Sequence, residues 1–162
     1  MNPTPTGRVE DRNGTPALIL TRTFTAPVED VWAAITEPAR LSRWIGTYTG
    51  DPATGTVMLT MTAEDDARPE PLNILECAPP HRLTAATPAS ETSPGWTYEV
   101  HLTESDGTTT LTFAQPGPHD LDTAGPGWEY YLDRLVAAEA GQDAAAINFD
   151  DYYPAMRDHY RP

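Results

Sequence analysis

The apolar positions change period twice along the chain. Ala17 to Phe24 alternates, with Leu18, Leu20, Arg22 and Phe24 on one face, as a strand requires. After Thr25-Ala26-Pro27 the spacing becomes helical, and Val28, Val31, Trp32 and Ile35 fall on one side. Thr25 offers a capping hydroxyl and Pro27 suits a first helical turn. Glu29 and Asp30 complement the positive end of the helix. Pro38 ends this helix or opens a second short one carrying Leu41, Trp44 and Ile45, closed by Gly46.

From Thr47 to Gln115 the helical period disappears. Val57, Leu59 and Met61 alternate with Met58, Thr60 and Thr62, as in a strand with two differently used faces; Leu72 to Cys77 and His81 to Thr87 read as two further strands. Trp96, Tyr98, Val100 and Leu102 alternate with Thr97, Glu99, His101 and Thr103. Ser105-Asp106-Gly107 turns the chain into a return strand from Thr108 to Ala114. Beyond Pro116-Gly117-Pro118 the helical period returns, with Trp128, Tyr131, Leu132, Leu135 and Val136 on one face. Glu129, Asp133 and Arg134 fall on the other, and Gly141 suits a left-handed cap. Phe149 to Tyr160 reads as a short terminal helix.

This order predicts an α+β fold: a curved antiparallel sheet wrapped around a long C-terminal helix, with two short helices after the first strand. The apolar face of such a sheet must be covered, and only the last helix is long enough. A bent sheet and a straight cylinder do not match everywhere, so a cavity for a small molecule is expected between them. At 162 residues one domain is expected. Residues 1–16 read as a flexible leader, 17–141 as the domain, and 142–162 as an extension packed on it.

Charge narrows the partners. Ten basic residues, all arginine, face 24 acidic ones, for a formal net charge of -14. That excess repels nucleic acid and anionic membranes, so neither is expected as a partner. With no lysine, Schiff-base chemistry on a lysine side chain is excluded. Cys77 stands alone, which excludes an internal disulfide and a thiolate zinc cluster; beside Leu75 and Ala78 it reads as packing. No run approaches the ~18 apolar residues of a membrane span, and the N-terminus lacks a secretory apolar region, so a cytoplasmic location is expected. His119 with Asp120 and Asp122 lacks a third spaced ligand. Glu64-Asp65-Asp66 and Asp150-Asp151 lack the glycine and alternation of a calcium loop. No metal, cofactor or catalytic triad is expected.

Four segments carry a family resemblance: LTRTFTAPVEDVWAAITEPARLSRWIG (20–46), LNILECAPPHRL (72–83), WTYEVHLTESDGTTTLTF (96–113) and GWEYYLDRL (127–135). In order and spacing the chain resembles the START-like, or SRPBCC, superfamily of helix-grip proteins, and within it homologues of the C-terminal domain of the heat-shock-protein ATPase activator. The resemblance implies a hollow domain. Its members include lipid and hormone carriers and polyketide cyclases or aromatases, and the activator itself binds a chaperone.

Trp44, Tyr48, Trp96, Tyr98, Trp128 and Tyr131, with Leu135, are the candidates for a ligand pocket; the alternative is that they are plain core. Arg22 shares strand parity with Leu20 and Phe24. It either snorkels to the rim or needs a buried carboxylate, with Glu76 or a ligand anion as candidates. Asp133 and Glu139 reach a pocket only if the long helix is rotated from this assignment. The expected function is a carrier or sensor of a hydrophobic or aromatic small molecule. A cyclase or aromatase-like enzyme and a chaperone-interacting module are the alternatives, and a homodimer stays open.

Overall fold

In the computed structural model the described residues are 3–62, 64, 67–91, 95–117 and 120–161. Their elements run β1 (Arg8–Arg12), β2 (Thr15–Phe24), α1 (Val28–Thr36), α2 (Pro38–Leu41), β3 (Thr47–Thr49) and β4 (Thr56–Thr60). There follow β5 (Glu70–Ala78), β6 (Arg82–Ala86), β7 (Thr97–Ser105), β8 (Thr108–Pro116), α3 (Leu121–Glu139) and α4 (Arg157–Tyr160). One antiparallel sheet holds the strands in the order β1-β2-β8-β7-β6-β5-β4-β3. This is the helix-grip arrangement. Leu18 and Leu20 of β2, Leu111 and Phe113 of β8, and Leu132 and Leu135 of α3 meet in one core, closed by Val31 and Ile35 of α1.

Arg8–Arg12, expected within a flexible leader, is a strand of the sheet, paired along its length with Thr15–Ile19. The turn explains it. Asn13 (φ 56°) and Gly14 (φ 87°) take the left-handed conformations of a two-residue hairpin, and the Gly14 N–H donates to Asp11 Oδ1 at 2.8 Å. An Asn-Gly pair is the strongest short hairpin signal, and here it draws the preceding segment into the sheet.

The start of α1 also differs from expectation. Thr25 does not cap it; the Val28 N–H donates to Glu104 Oε1 of β7 at 2.7 Å, so the cap comes from across the fold.

The long helix begins at Leu121, well before the apolar period is readable, and runs through Pro126. Gly125 explains part of this: the ring of Tyr160 lies against it so closely that any β-carbon there would overlap the ring. Glu129, placed by periodicity on a solvent face, is 1% exposed. The N-terminal segment, Arg22 and the C-terminal tail cover that face of α3, which the helix period alone could not reveal.

Candidate functional site

A cavity of about 910 Å³ opens between the β4–β8 half of the sheet, α1, α2 and one face of α3. Its floor is a set of cross-strand neighbours. Val57 pairs with Leu72, Ile74 with Ala85, Ala85 with Tyr98, Leu83 with Val100, and Val100 with Phe113. All of these line the cavity.

A β-bulge sets which residues of β5 belong to this floor. The register of β5 on β6 shifts between Ile74 and Glu76. Leu72 and Ile74 point to the cavity; after the extra residue, Cys77 does so instead of Glu76. Leu75, at the bulge, is left 61% exposed. Glu76 is thereby turned outward, where it pairs with Arg82 at 3.3 Å. Cys77, expected as packing, is exposed and belongs to the cavity lining.

The inner end is aromatic. The Phe113 and Trp128 rings lie 4.2 Å apart between centroids, with Tyr98 at 5.3 Å from Trp128. Trp44 and Ile45, from the turn after α2, and Ile35 of α1 close the helical side, and all three are buried. Exposed lining residues mark the mouth: Glu64, Ala67, Arg68 and Glu70 before and at the start of β5, and Pro88, Ala89 and Ser90 after β6.

Of the expected pocket residues, Trp44, Tyr48, Trp96, Tyr98 and Trp128 line this space, whereas Tyr131 and Leu135 do not. Leu135 is fully buried core. Tyr131 turns its hydroxyl to Glu64 Oε2 at 2.9 Å. From α3 the second lining residue is Leu132, one helical turn from Trp128; that i,i+4 spacing was the available signal. Trp32 and Leu83 also line it, although the sequence picture gave them no pocket role.

Three of the aromatic polar groups at the wall are already engaged. Trp44 Nε1 donates to the Ala34 carbonyl at 2.9 Å, Trp128 Nε1 to Gln115 Oε1 at 3.1 Å, and the Tyr48 hydroxyl to the Thr36 carbonyl at 2.9 Å. Burial raises the Tyr48 phenol above the usual value, helped by the charge of Glu37. Tyr98 is pushed up to about 12, first by burial and then by the negative charges of Glu64 and Glu70. Tyr131 is raised by the same two effects, burial and the Glu64 carboxylate that accepts its hydrogen bond.

Arg22 does not line the cavity and does not pair with Glu76. It donates from Nη2 to Glu129 Oε1 at 2.9 Å and from Nε to Asp133 Oδ1 at 3.0 Å, on the opposite side of α3. Asp133 also accepts from the Tyr152 hydroxyl at 2.7 Å, and Glu139 pairs with Arg40, so neither acid lines the cavity. His119, Asp65 and Asp66 lie outside the described residues. Among the described residues no group of three or more His, Cys, Asp or Glu could hold a metal ion, and no helix is long and apolar enough to cross a membrane.

Residues 25–139 match the model of a family described as activator of Hsp90 ATPase homolog 1-like protein. The crystal structure of CalU16 from Micromonospora echinospora is similar at a TM-score of 0.70 and 25% identity, covering 97% of this chain and 93% of that one. A conserved protein of unknown function from Enterococcus faecalis, EF2215, shares the fold at a TM-score of 0.69 and 18% identity, covering 95% and 87%. DynU16, a protein of the dynemicin biosynthetic locus, is similar at a TM-score of 0.60 and 21% identity over 79% of this chain and 49% of its own. No curated protein matches the chain. With helix-grip topology and a family match over most of its length, the chain belongs to the activator of Hsp90 ATPase homolog 1-like family of the START-like (SRPBCC) superfamily.

Proposed function

We propose that the chain binds a small apolar or aromatic molecule between its sheet and helices and acts as that molecule's carrier or sensor. One observation supports this reading above others: a cavity of about 910 Å³ walled mainly by aliphatic and aromatic side chains. That size lies in the range of small-molecule sites, and apolar walls with few polar groups are their usual character. Water in such a space makes few hydrogen bonds, so an apolar molecule that displaces it gains free energy.

A cyclase or aromatase role rests mainly on positioning a reactive chain in the cavity, helped by one or two polar groups that move protons. Tyr98, protonated up to about 12, is a donor and not a base. The carrier or sensor reading requires no such group.

The test is a fluorescence titration with N-phenyl-1-naphthylamine, an uncharged aromatic that brightens in apolar surroundings. Saturable binding of one molecule per chain is expected, with Kd on the order of 0.1 mM or tighter for a probe of that size. Val100→Trp, which fills the floor, should weaken it at least about tenfold while thermal unfolding stays cooperative. Equal binding by both proteins would overturn the proposal.

A further inference from the structure

The ligand's own chemistry can be read from what the wall leaves uncommitted. Trp44, Trp128 and Tyr48 have spent their N–H or O–H groups on protein acceptors. Tyr98 has not: its hydroxyl has no hydrogen-bond partner among the described residues, though the residue lines the cavity beside Phe113 and Trp128. The indole of Trp32, on the helical wall, likewise has none among them. Both groups are donors of partly buried residues that no protein acceptor among the described residues occupies, so an acceptor on a ligand can take them in place of water.

Charge at the mouth selects further. Glu64 and Glu70 line it, and Glu64 is fixed by the Tyr131 hydroxyl at 2.9 Å. Among the described lining residues Arg68 is the single cation, set against the carboxylates of Glu64 and Glu70 and a formal net charge of -14 on the chain. An anion entering here is repelled overall.

We infer that the cavity takes a flat, uncharged molecule carrying a carbonyl-type acceptor, which the Tyr98 hydroxyl binds, and that the Glu64–Glu70 mouth disfavours anionic forms. This rests on the cavity being a ligand site. Burial first, and then the same acids, move the Tyr98 phenol further above the pH at which it would lose its donor proton.

Three probes of one shape test it: fluorene, with no acceptor; 9-fluorenone, with a carbonyl; and fluorene-9-carboxylate, an anion. Binding to the folded chain is read by calorimetry. Fluorenone should bind about 2- to 10-fold tighter than fluorene, the margin of one hydrogen bond. The carboxylate should bind about tenfold weaker than fluorenone, and the gap should narrow in high salt and in Glu64→Gln/Glu70→Gln. In Tyr98→Phe the fluorenone-to-fluorene ratio should fall to about one, with fluorene reporting that the cavity persists. On the native protein, the Tyr98 Cζ resonance should shift with fluorenone and not with fluorene.

Equal binding of fluorene and fluorenone, or a ratio insensitive to Tyr98→Phe, overturns the Tyr98 assignment and leaves the cavity reading intact. A carboxylate that binds tightest and loses its advantage in Arg68→Gln overturns the charge selection. Failure of all three probes to bind overturns the cavity reading and this inference together.

Discussion

At Glu129 a carboxylate that is 1% exposed is ringed by donors. The Thr6 N–H (2.5 Å), the Thr6 hydroxyl (2.6 Å), the Tyr160 hydroxyl (2.6 Å) and Arg22 Nη2 (2.9 Å) all reach it. Burial alone would raise its pKa, yet the bonds from Thr6, Tyr160 and Arg22 outweigh burial and hold it below 4.5. A depressed folded pKa gives stability that is complete above the unfolded value and lost as pH falls through the folded one. Urea unfolding of the native chain should therefore weaken steeply below about pH 4.5, and Glu129→Gln should flatten that limb. Glu129→Ala, which takes the buried carboxylate from Arg22, Thr6 and Tyr160 and leaves Arg22 with Asp133 as its one acid, should cost about 2–4 kcal/mol at pH 7; a loss under about 1 kcal/mol would show the network to be dispensable. Tyr98 predicts the opposite limb. Its value near 12 means the Cζ resonance should not titrate at the usual 10, and its share of stability is lost as pH rises from 10 towards 12. Strand parity left Arg22 either to snorkel to the rim or to find a buried acid, and the structure shows the second. Which acid was not legible, because the pairing joins β2 to α3 across the fold.

Among the elements, β5 shows where pattern reading stops. Leu72 to Cys77 was recognisable as a strand, but its bulge was not, because no Gly or Pro marks Leu75 and propensity is silent about an extra residue. One unpaired residue reverses the facing of everything after it, so Cys77 and Glu76 exchange sides. An aromatic disulfide reagent should react with Cys77 in the folded chain without denaturant, and saturating N-phenyl-1-naphthylamine should slow it several-fold. A thiol inert until unfolding would place Cys77 in the core. The start of α3 is a second case: Gly125-Pro126-Gly127 interrupts the apolar period ahead of Trp128, yet the helix runs through it. Tyr160 needs Gly125 small, so Gly125→Ala should cost about 1–3 kcal/mol and speed amide exchange in α4. The central strands and α1 were legible because each carries a clean period with turn residues at its ends. The strand β1 had its Asn-Gly turn in plain view.

For the molecule as a whole, sheet curvature decides the outcome. α3 shares a core with β2 and β8 through Leu18, Leu20, Phe113 and Leu135, and the cavity opens where α3 faces the strands from β4 to β7. Element order in the sequence was enough to expect a hollow fold, and five of seven named side chains do line the hollow. Tyr131 and Leu135 escaped because a helix face wider than the cavity is partly core, and only the helix rotation separates the two. Part of the acidic charge belongs to the site: Glu64 and Glu70 stand at the mouth. The central claim, that this hollow is a ligand site, is tested most directly by methyl NMR of the chain titrated with 9-fluorenone. Saturable shifts at Leu72, Leu83, Val100 and Leu132, with Leu18 and Leu75 still, are the predicted result. Shifts centred on exposed Leu75 and Val9, or none at the cavity methyls, would contradict it.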